Sequence, residues 1–172
     1  MTFKPFYLRG VVVHGKGRGG TQLGFPTANL QLDDQIKEQL KAYENRVVYG
    51  WGSVVGLPGN ETAGLGPFAF AASVGCNSHF QENILTVEPH FLNQFEEDFY
   101  GATVKIVVLG VLREMGVFCS LEALVNAIKE DVRQTRAILD KPEMQRFKDH
   151  SLLVPRLLPS DTAPHFELLT LE

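Results

Sequence analysis

The chain has 172 residues, 44% of them hydrophobic and 21% charged, a balance typical of a single globular domain with its own core. No apolar run reaches the ~18 residues that span a bilayer, and the N-terminus lacks the apolar centre of a signal peptide, so we expect a cytoplasmic protein with no membrane partner. The net charge of −4 and the pI near 5.7 argue against a nucleic-acid partner, which favours a broad basic surface.

Positive charge is concentrated near the N-terminus. Residues 1–32 hold four basic residues and no acidic one, and because the whole chain carries −4, the rest of it carries −8. The basic residues coincide with a glycine cluster at positions 15–20. This arrangement favours a small anionic ligand.

Alternating apolar and polar residues, with many β-branched and aromatic side chains, predict six strands before one long helix. A short helix or irregular insertion follows Asp33, and the glycines and prolines of residues 57–67 predict a loop. Helical spacing of apolar residues predicts the long helix from Leu121 to Leu139, with Ser120 as its N-cap and Pro142 beyond its end. The predicted strands are residues 6–14, 26–32, 46–55, 68–75, 84–92 and 102–112.

Strands followed by a helix, without alternation of the two, favour an antiparallel β-barrel with a C-terminal α-helix packed beside it. We expect one domain over residues 1–150. Residues 151–172 have several leucines and prolines without a clear period, and they are interpreted as a C-terminal extension of unknown role.

The glycine cluster resembles three phosphate-binding motifs, and each fails. Gly15, Gly17 and Gly20 have the spacing of a dinucleotide-binding turn, but Pro26 and an extended segment follow where a helix N-terminus is needed. As a P-loop the segment places Gly17 where a Ser or Thr must reach the metal. The glycine-rich cover of protein kinases fails because its partner motifs are absent. An ordinary mobile hairpin loop stays open as the alternative.

The residues after the cluster suggest a metal site. Thr27 and Asn29 lie two residues apart, so in a strand both side chains point to the same side. Both offer neutral oxygen ligands of the kind that Mg²⁺ accepts alongside water and phosphate. A plain strand start is the alternative interpretation.

Together, GKGRGG and LGFPTANL resemble the signature of riboflavin kinases, in particular the monofunctional eukaryotic type. The resemblance runs from about Tyr7 to Leu139. It continues through YGWGSV at 49–54, VEPH at 87–90, FEEDFYG at 95–101 and FCSLEAL at 118–124.

The resemblance implies a six-stranded Greek-key barrel that transfers the γ-phosphoryl group of ATP to riboflavin and stops at FMN. Mg²⁺ would bind Thr27 and Asn29, and Glu88 would be the base that takes the proton from the 5′-hydroxyl. The nucleotide would contact Gly15, Gly17, Gly20, Thr21, Thr27, Asn29 and Tyr100, and the flavin would contact Arg113, Phe118 and Glu122.

The residues themselves support Glu88 in part. Glu88 shares a strand face with His90 between apolar neighbours, as an inward-pointing site residue would, while a solvated glutamate on the outer face is the alternative. His90 is interpreted as a structural histidine or a phosphate contact. Two segments depart from the family pattern: Cys76-Asn77-Ser78, which affects a turn, and Glu114-Met115-Gly116, which affects the flavin contacts.

A barrel that binds flavin, nucleotide or an oligonucleotide without turnover is the competing hypothesis. The bases of a bound oligonucleotide would stack on aromatic side chains of the barrel. The candidates are Tyr49, Trp51, Phe68 and Phe70. We expect a monomer in either case.

Overall fold

The described part of the chain contains seven antiparallel strands, three α-helices and three short 3-10 helices. The computed structural model describes residues 3–13, 29–57, 60–77, 84–93, 100–161 and 163–170. No helix within these ranges is both long and apolar enough to cross a bilayer. The strands are β1 (Phe6–Val13), β2 (Asn29–Gln31), β3 (Arg46–Leu57), β4 (Asn60–Asn77), β5 (Ile84–Phe91), β6 (Thr103–Glu114) and β7 (His165–Leu168), and the helices are α1 (Asp34–Leu40), α2 (Leu121–Leu139) and α3 (Pro142–Gln145).

The first six strands form a nearly closed barrel. Their order is β2-β1-β6-β3-β4-β5, and β5 lies near β2 where the barrel closes. The return of β6 between β1 and β3 is the non-sequential pairing that a Greek-key connection produces. Apolar side chains fill the interior of the barrel, and examples are Phe6, Val54, Phe70 and Ile106, all at most 1% exposed. The predicted antiparallel barrel with a C-terminal helix is confirmed.

A second apolar layer covers part of the outer face of the barrel. Tyr7, Tyr49 and Trp51 point outward from β1 and β3, and they pack under Leu139 at the end of α2 and under the C-terminal segment. Three of the proposed stacking aromatics are therefore unavailable. Tyr49, Trp51 and Phe70 are each at most 8% exposed, and Phe68 packs against the barrel interior.

The predicted loop at residues 57–67 is wrong over most of its length. β3 continues to Leu57 and β4 begins at Asn60, so the two strands form a long hairpin. The glycines serve irregularities within the strands, because register shifts occur near residues 52–57 and Gly56 and Gly66 have positive φ angles of 66° and 121°. The glycines of this segment therefore mark bulges within two strands, where a loop was predicted.

The C-terminal segment packs on the barrel. β7 pairs with β1 over Phe6–Arg9, next to β2, which pairs with Val11–Val13 of the same strand. The Ser53 hydroxyl donates to the Leu153 carbonyl at 2.6 Å, and the Trp51 indole donates to the Met144 carbonyl at 2.9 Å. These contacts tie residues 142–170 to β1 and β3.

A buried charge cluster fastens the same segment. Lys105 on β6 is only 1% exposed, and its ammonium group pairs with Asp161 and donates to the carbonyls of Val154 and Arg156. Arg9 on β1 also pairs with Asp161, at 3.1 Å. Because an unpaired buried charge is costly, the segment and the barrel depend on each other for this cluster.

Gly64 shows how closely the segment crosses the hairpin. A Cβ atom added at Gly64 would lie 1.9 Å from the Pro155 carbonyl oxygen and 2.4 Å from its carbon. No side chain fits between these two backbones. The glycine at this position therefore permits the crossing of β4 by residues 153–157.

Candidate active site

Glu88 lies on the outer face of β5, half-buried. Its neighbours Val87 and Phe91 are buried in the barrel interior, so the period of two turns Glu88 away from it. The expectation that Glu88 points inward is wrong. Alternation separates the two faces of a strand without saying which face is inside, and here Leu85, Val87 and Phe91 fill the core.

The surroundings of Glu88 make its carboxylate a better base. Burial raises the pKa of Glu88 above its usual value, and a hydrogen bond with Ser73, its cross-strand neighbour on β4, opposes part of that rise. A carboxylate with a raised pKa accepts a proton more readily near neutral pH. Ser73 also orients the carboxylate from the adjacent strand.

His90 follows Glu88 on the same face and is 9% exposed. Burial lowers the pKa of His90, and the negative charge of Asp131 on α2 opposes that shift. The histidine is thus favoured in its neutral form. Its burial fits the structural interpretation better than a phosphate contact.

Strand pairing joins the residues on either side of the glycine-rich segment, which comprises residues 14–28. Val13 at the end of β1 pairs with Asn29 at the start of β2, so the chain between them begins and ends at one place. Leu30 is buried in the barrel interior, and Asn29 therefore points to the outer face. β2 lies near β5 at the barrel closure, which brings Asn29 to the same outer side as Glu88.

Five predicted site residues lie outside the described residues. Asn29 is the described member of the predicted metal pair. The five are Gly15, Gly17, Gly20, Thr21 and Thr27.

Tyr100 lies beside the end of β1. It is 38% exposed in the turn before β6. The Gly101 N–H donates to the Val12 carbonyl at 2.8 Å, and the Val12 N–H donates to the Ala102 carbonyl at 2.8 Å. The turn is thereby held close to the point where the glycine-rich segment leaves β1.

The segment from the last two residues of β6 to the N-cap of α2, residues 113–120, borders the face that carries Glu88. Gly75 pairs with Thr86 on that face, two residues from the Ser73–Glu88 pair. A Cβ added at Gly75 would lie 3.6 Å from the Met115 sulfur and 3.6 Å from the Thr86 hydroxyl. The departure from the family pattern at Met115 therefore lies against the candidate site.

The three predicted flavin residues occupy different positions around this segment. Arg113 forms an ion pair with Asp131, and its guanidinium carbon lies 5.6 Å from the centre of the Phe118 ring. Glu122 is exposed in the first turn of α2, which Ser120 caps. The structure brings Arg113 and Phe118 together and leaves Glu122 at the rim.

Sequence reasoning missed Ser73 and Asp131. Ser73 carries no signal of its own, because its role depends on strand register. Asp131 had a signal: it falls three residues after Ile128 and four before Thr135, on the apolar stripe of α2. An acidic residue buried on such a stripe indicates a basic partner, which here is the partly exposed Arg113.

Known proteins agree with this architecture. A family model described as Flavokinase: Riboflavin kinase matches residues 2–139. The riboflavin kinase of Mus musculus is 37% identical over 147 residues, which cover 84% of this chain and 88% of that protein. The bifunctional riboflavin kinase/FMN phosphatase of Arabidopsis thaliana is 36% identical over 144 residues, covering 84% of this chain and 36% of that protein.

A solved structure extends the likeness to the C-terminal segment. The crystal structure of riboflavin kinase from Trypanosoma brucei matches with a TM-score of 0.85 and 52% identity, covering 99% of this chain and 100% of that one. Family model, relatives and barrel all agree, and the chain belongs to the riboflavin kinase family.

Proposed function

We propose that the chain catalyses transfer of the γ-phosphoryl group of ATP to the 5′-hydroxyl of riboflavin, giving FMN and ADP. The observation that carries this proposal is the half-buried Glu88, whose pKa is raised by burial and whose carboxylate bonds to Ser73. Phosphoryl transfer needs one group that orients and deprotonates the attacking hydroxyl, and otherwise positioning and charge neutralisation.

In this mechanism Glu88 accepts the proton of the riboflavin 5′-hydroxyl while the oxygen of that hydroxyl forms a bond to the γ-phosphorus of ATP. The bond from that phosphorus to the bridging oxygen of ADP breaks, and ADP leaves with the electron pair. The hydrogen bond with Ser73 holds the carboxylate in a fixed orientation. The proton on Glu88 then returns to solvent.

The nucleotide would lie at the anchored glycine-rich segment. Backbone N–H groups around Gly15, Gly17, Gly20 and Thr21 would bind phosphate oxygens, and Tyr100 would contact the nucleotide from the adjacent turn. Asn29 would contribute to a metal site, and its orientation toward the outer side at the end of the segment supports this role.

The metal is proposed to be Mg²⁺, held by Thr27 and Asn29. When bound, it would neutralise charge on the phosphate oxygens. An amide and a hydroxyl leave the remaining positions to water and phosphate, as Mg²⁺ prefers.

The flavin would lie against residues 113–122, with the Phe118 ring as an apolar face and Arg113 and Glu122 near its polar edges. This segment borders the face of Glu88 through Met115 and Gly75. We further propose a cytoplasmic monomer without nucleic-acid or membrane partners. Residues 1–150 would carry the activity, and residues 151–172 would support the fold.

The test is incubation with riboflavin and Mg-ATP, with products resolved by mass. We expect FMN and ADP in equal amounts and no FAD. Glu88→Gln should lower turnover by roughly 10²-fold or more while nucleotide binding stays nearly unchanged. Well-folded wild-type protein that makes no FMN would refute the activity, and wild-type turnover in Glu88→Gln would assign the base to another group.

A further inference from the structure

The segment 113–120 is fastened to α2 at both of its ends. At its start, Arg113 donates from Nε to Asp131 Oδ1 and from Nη2 to Asp131 Oδ2, each at 2.8 Å. At its end, the Ser120 hydroxyl accepts the Ala123 N–H at 3.1 Å and caps the helix. Asp131 is 5% exposed, so its carboxylate is committed to this contact.

The same guanidinium organises the segment itself. Arg113 Nη1 donates to the Glu114 carbonyl at 3.2 Å, and the guanidinium carbon lies 5.6 Å from the centre of the Phe118 ring. Arg113 therefore connects a buried carboxylate on α2 to the aromatic side chain proposed to contact the flavin. A cation over an aromatic face adds attraction to this packing.

Asp131 also acts electrostatically on the strand of the proposed base. Its charge acts on His90, which lies two residues from Glu88 on the same face of β5. Met115 lies against Gly75 of β4 on that face. The carboxylate thus acts on the charge of His90, on the strand that carries Glu88, and binds the segment that would hold riboflavin.

We propose that Asp131 is a positioning residue for riboflavin, which acts through Arg113 to fix the Phe118 ring beside the face of Glu88. The proposal rests on the proposed flavin role of residues 113–122. Two parallel hydrogen bonds between a guanidinium and a carboxylate set both the place and the plane of the guanidinium. An amide at position 131 cannot accept both bonds, so Arg113 turns toward solvent and Phe118 loses its partner.

The test compares Asp131→Asn with Glu130→Gln. Glu130 is the adjacent residue of α2 and pairs with Arg133 on the exposed side, so its substitution removes the same charge from the same turn. We expect Asp131→Asn to raise the KM for riboflavin about tenfold and to leave the KM for ATP within about twofold. Glu130→Gln should match the wild type in both constants.

A purely structural role predicts a different result, because loosening of the whole barrel would raise both KM values together. An equal rise in the two constants, or a riboflavin KM in Asp131→Asn that matches Glu130→Gln, would overturn the proposal. Thermal unfolding of each variant, followed by far-UV circular dichroism, verifies that the protein is folded at the assay temperature.

A double-mutant cycle keeps the proposal testable if the lone Arg113 charge destabilises Asp131→Asn. Arg113→Gln combined with Asp131→Asn removes both charges. We expect the double variant to have the riboflavin KM of Arg113→Gln alone, since Asp131 acts through that side chain. Additive effects of the two substitutions would overturn the proposal.

Titration of riboflavin fluorescence separates this inference from the activity. Wild-type protein that binds riboflavin and makes no FMN would refute the proposed reaction, and the dissociation constants of the variants would still test Asp131. Wild-type FMN production together with an unchanged riboflavin dissociation constant in Asp131→Asn would refute the role of Asp131 alone.

Discussion

Asp161→Asn tests how far the barrel depends on its C-terminal segment. The carboxylate accepts the Leu158 N–H at 2.8 Å and pairs with Lys105 and Arg9, and both Asp161 and Lys105 are almost fully buried. Removal of one partner of a buried ion pair costs about 3–5 kcal/mol. Because Lys105 keeps two carbonyl acceptors, we take the lower end, about 3 kcal/mol, which lowers Tm by about 6–12 °C for a domain of this size.

Thermal unfolding by far-UV circular dichroism measures this loss, and Glu130→Gln is the matched control, because it removes a carboxylate from an exposed pair. The control should unfold at the wild-type temperature. Lys105→Met added to Asp161→Asn removes the stranded ammonium and should restore part of the stability. A Tm of Asp161→Asn within 1–2 °C of the control would refute the claim that this cluster fastens the segment.

Three further predictions concern Gly64, Asp161 and Thr27. Gly64→Ala should displace residues 153–157 from the hairpin and lower the free energy of unfolding by about 1–3 kcal/mol, because the new Cβ would overlap the Pro155 backbone. Urea unfolding measures this loss. Gly116→Ala is the control, because the nearest atom to its Cβ would lie 3.9 Å away. Burial of Asp161 would raise its pKa, but its hydrogen bonds with Lys105 and Leu158 and the charges of Lys105 and Arg9 outweigh burial, so the pKa is lowered. The contribution of the Asp161 carboxylate to folding stability is therefore complete above about pH 4, and it is lost as pH falls through the lower folded-state pKa. Fluorescence of Trp51, the single tryptophan, should report that loss, and the same acid transition in Asp161→Asn would contradict it. Thr27→Ala should raise the Mg²⁺ concentration needed for half-maximal FMN formation, whereas an unchanged titration would remove Thr27 from the metal site.

The barrel was predictable because its strands alternate strongly and its helix has clear limits. α2 runs from Leu121 to Leu139 with the Ser120 cap, as the helical spacing and the cap residue predict. β7 was not predictable, since its four residues carry no turn signal and gain their hydrogen bonds only from β1. Short strands of this kind are determined by tertiary contact.

Two features of the candidate site could not be predicted from the sequence: which side of the barrel carries Glu88, and which residue pairs with Arg113. The sequence singled out Glu88 but gave the wrong side of the barrel, because a period of two is the same for both faces. Arg113 was selected as a flavin contact, and its pairing with Asp131 depends on how α2 lies against β6. The place of Asp131 on the apolar stripe of α2 signals that it has a partner, but the identity of that partner depends on tertiary packing and has no local signal.

The arrangement of β7 and β2 along one edge of β1 has a consequence for association. A strand edge with free N–H and C=O groups is a template for other chains, and Phe6–Arg9 would be such an edge without β7. The replacement edge is safer, since β7 is four residues long and carries His165 and Glu167, which pair with each other at 3.7 Å. A chain shortened before His165 would therefore expose an aromatic edge and tend to pair with further copies of itself.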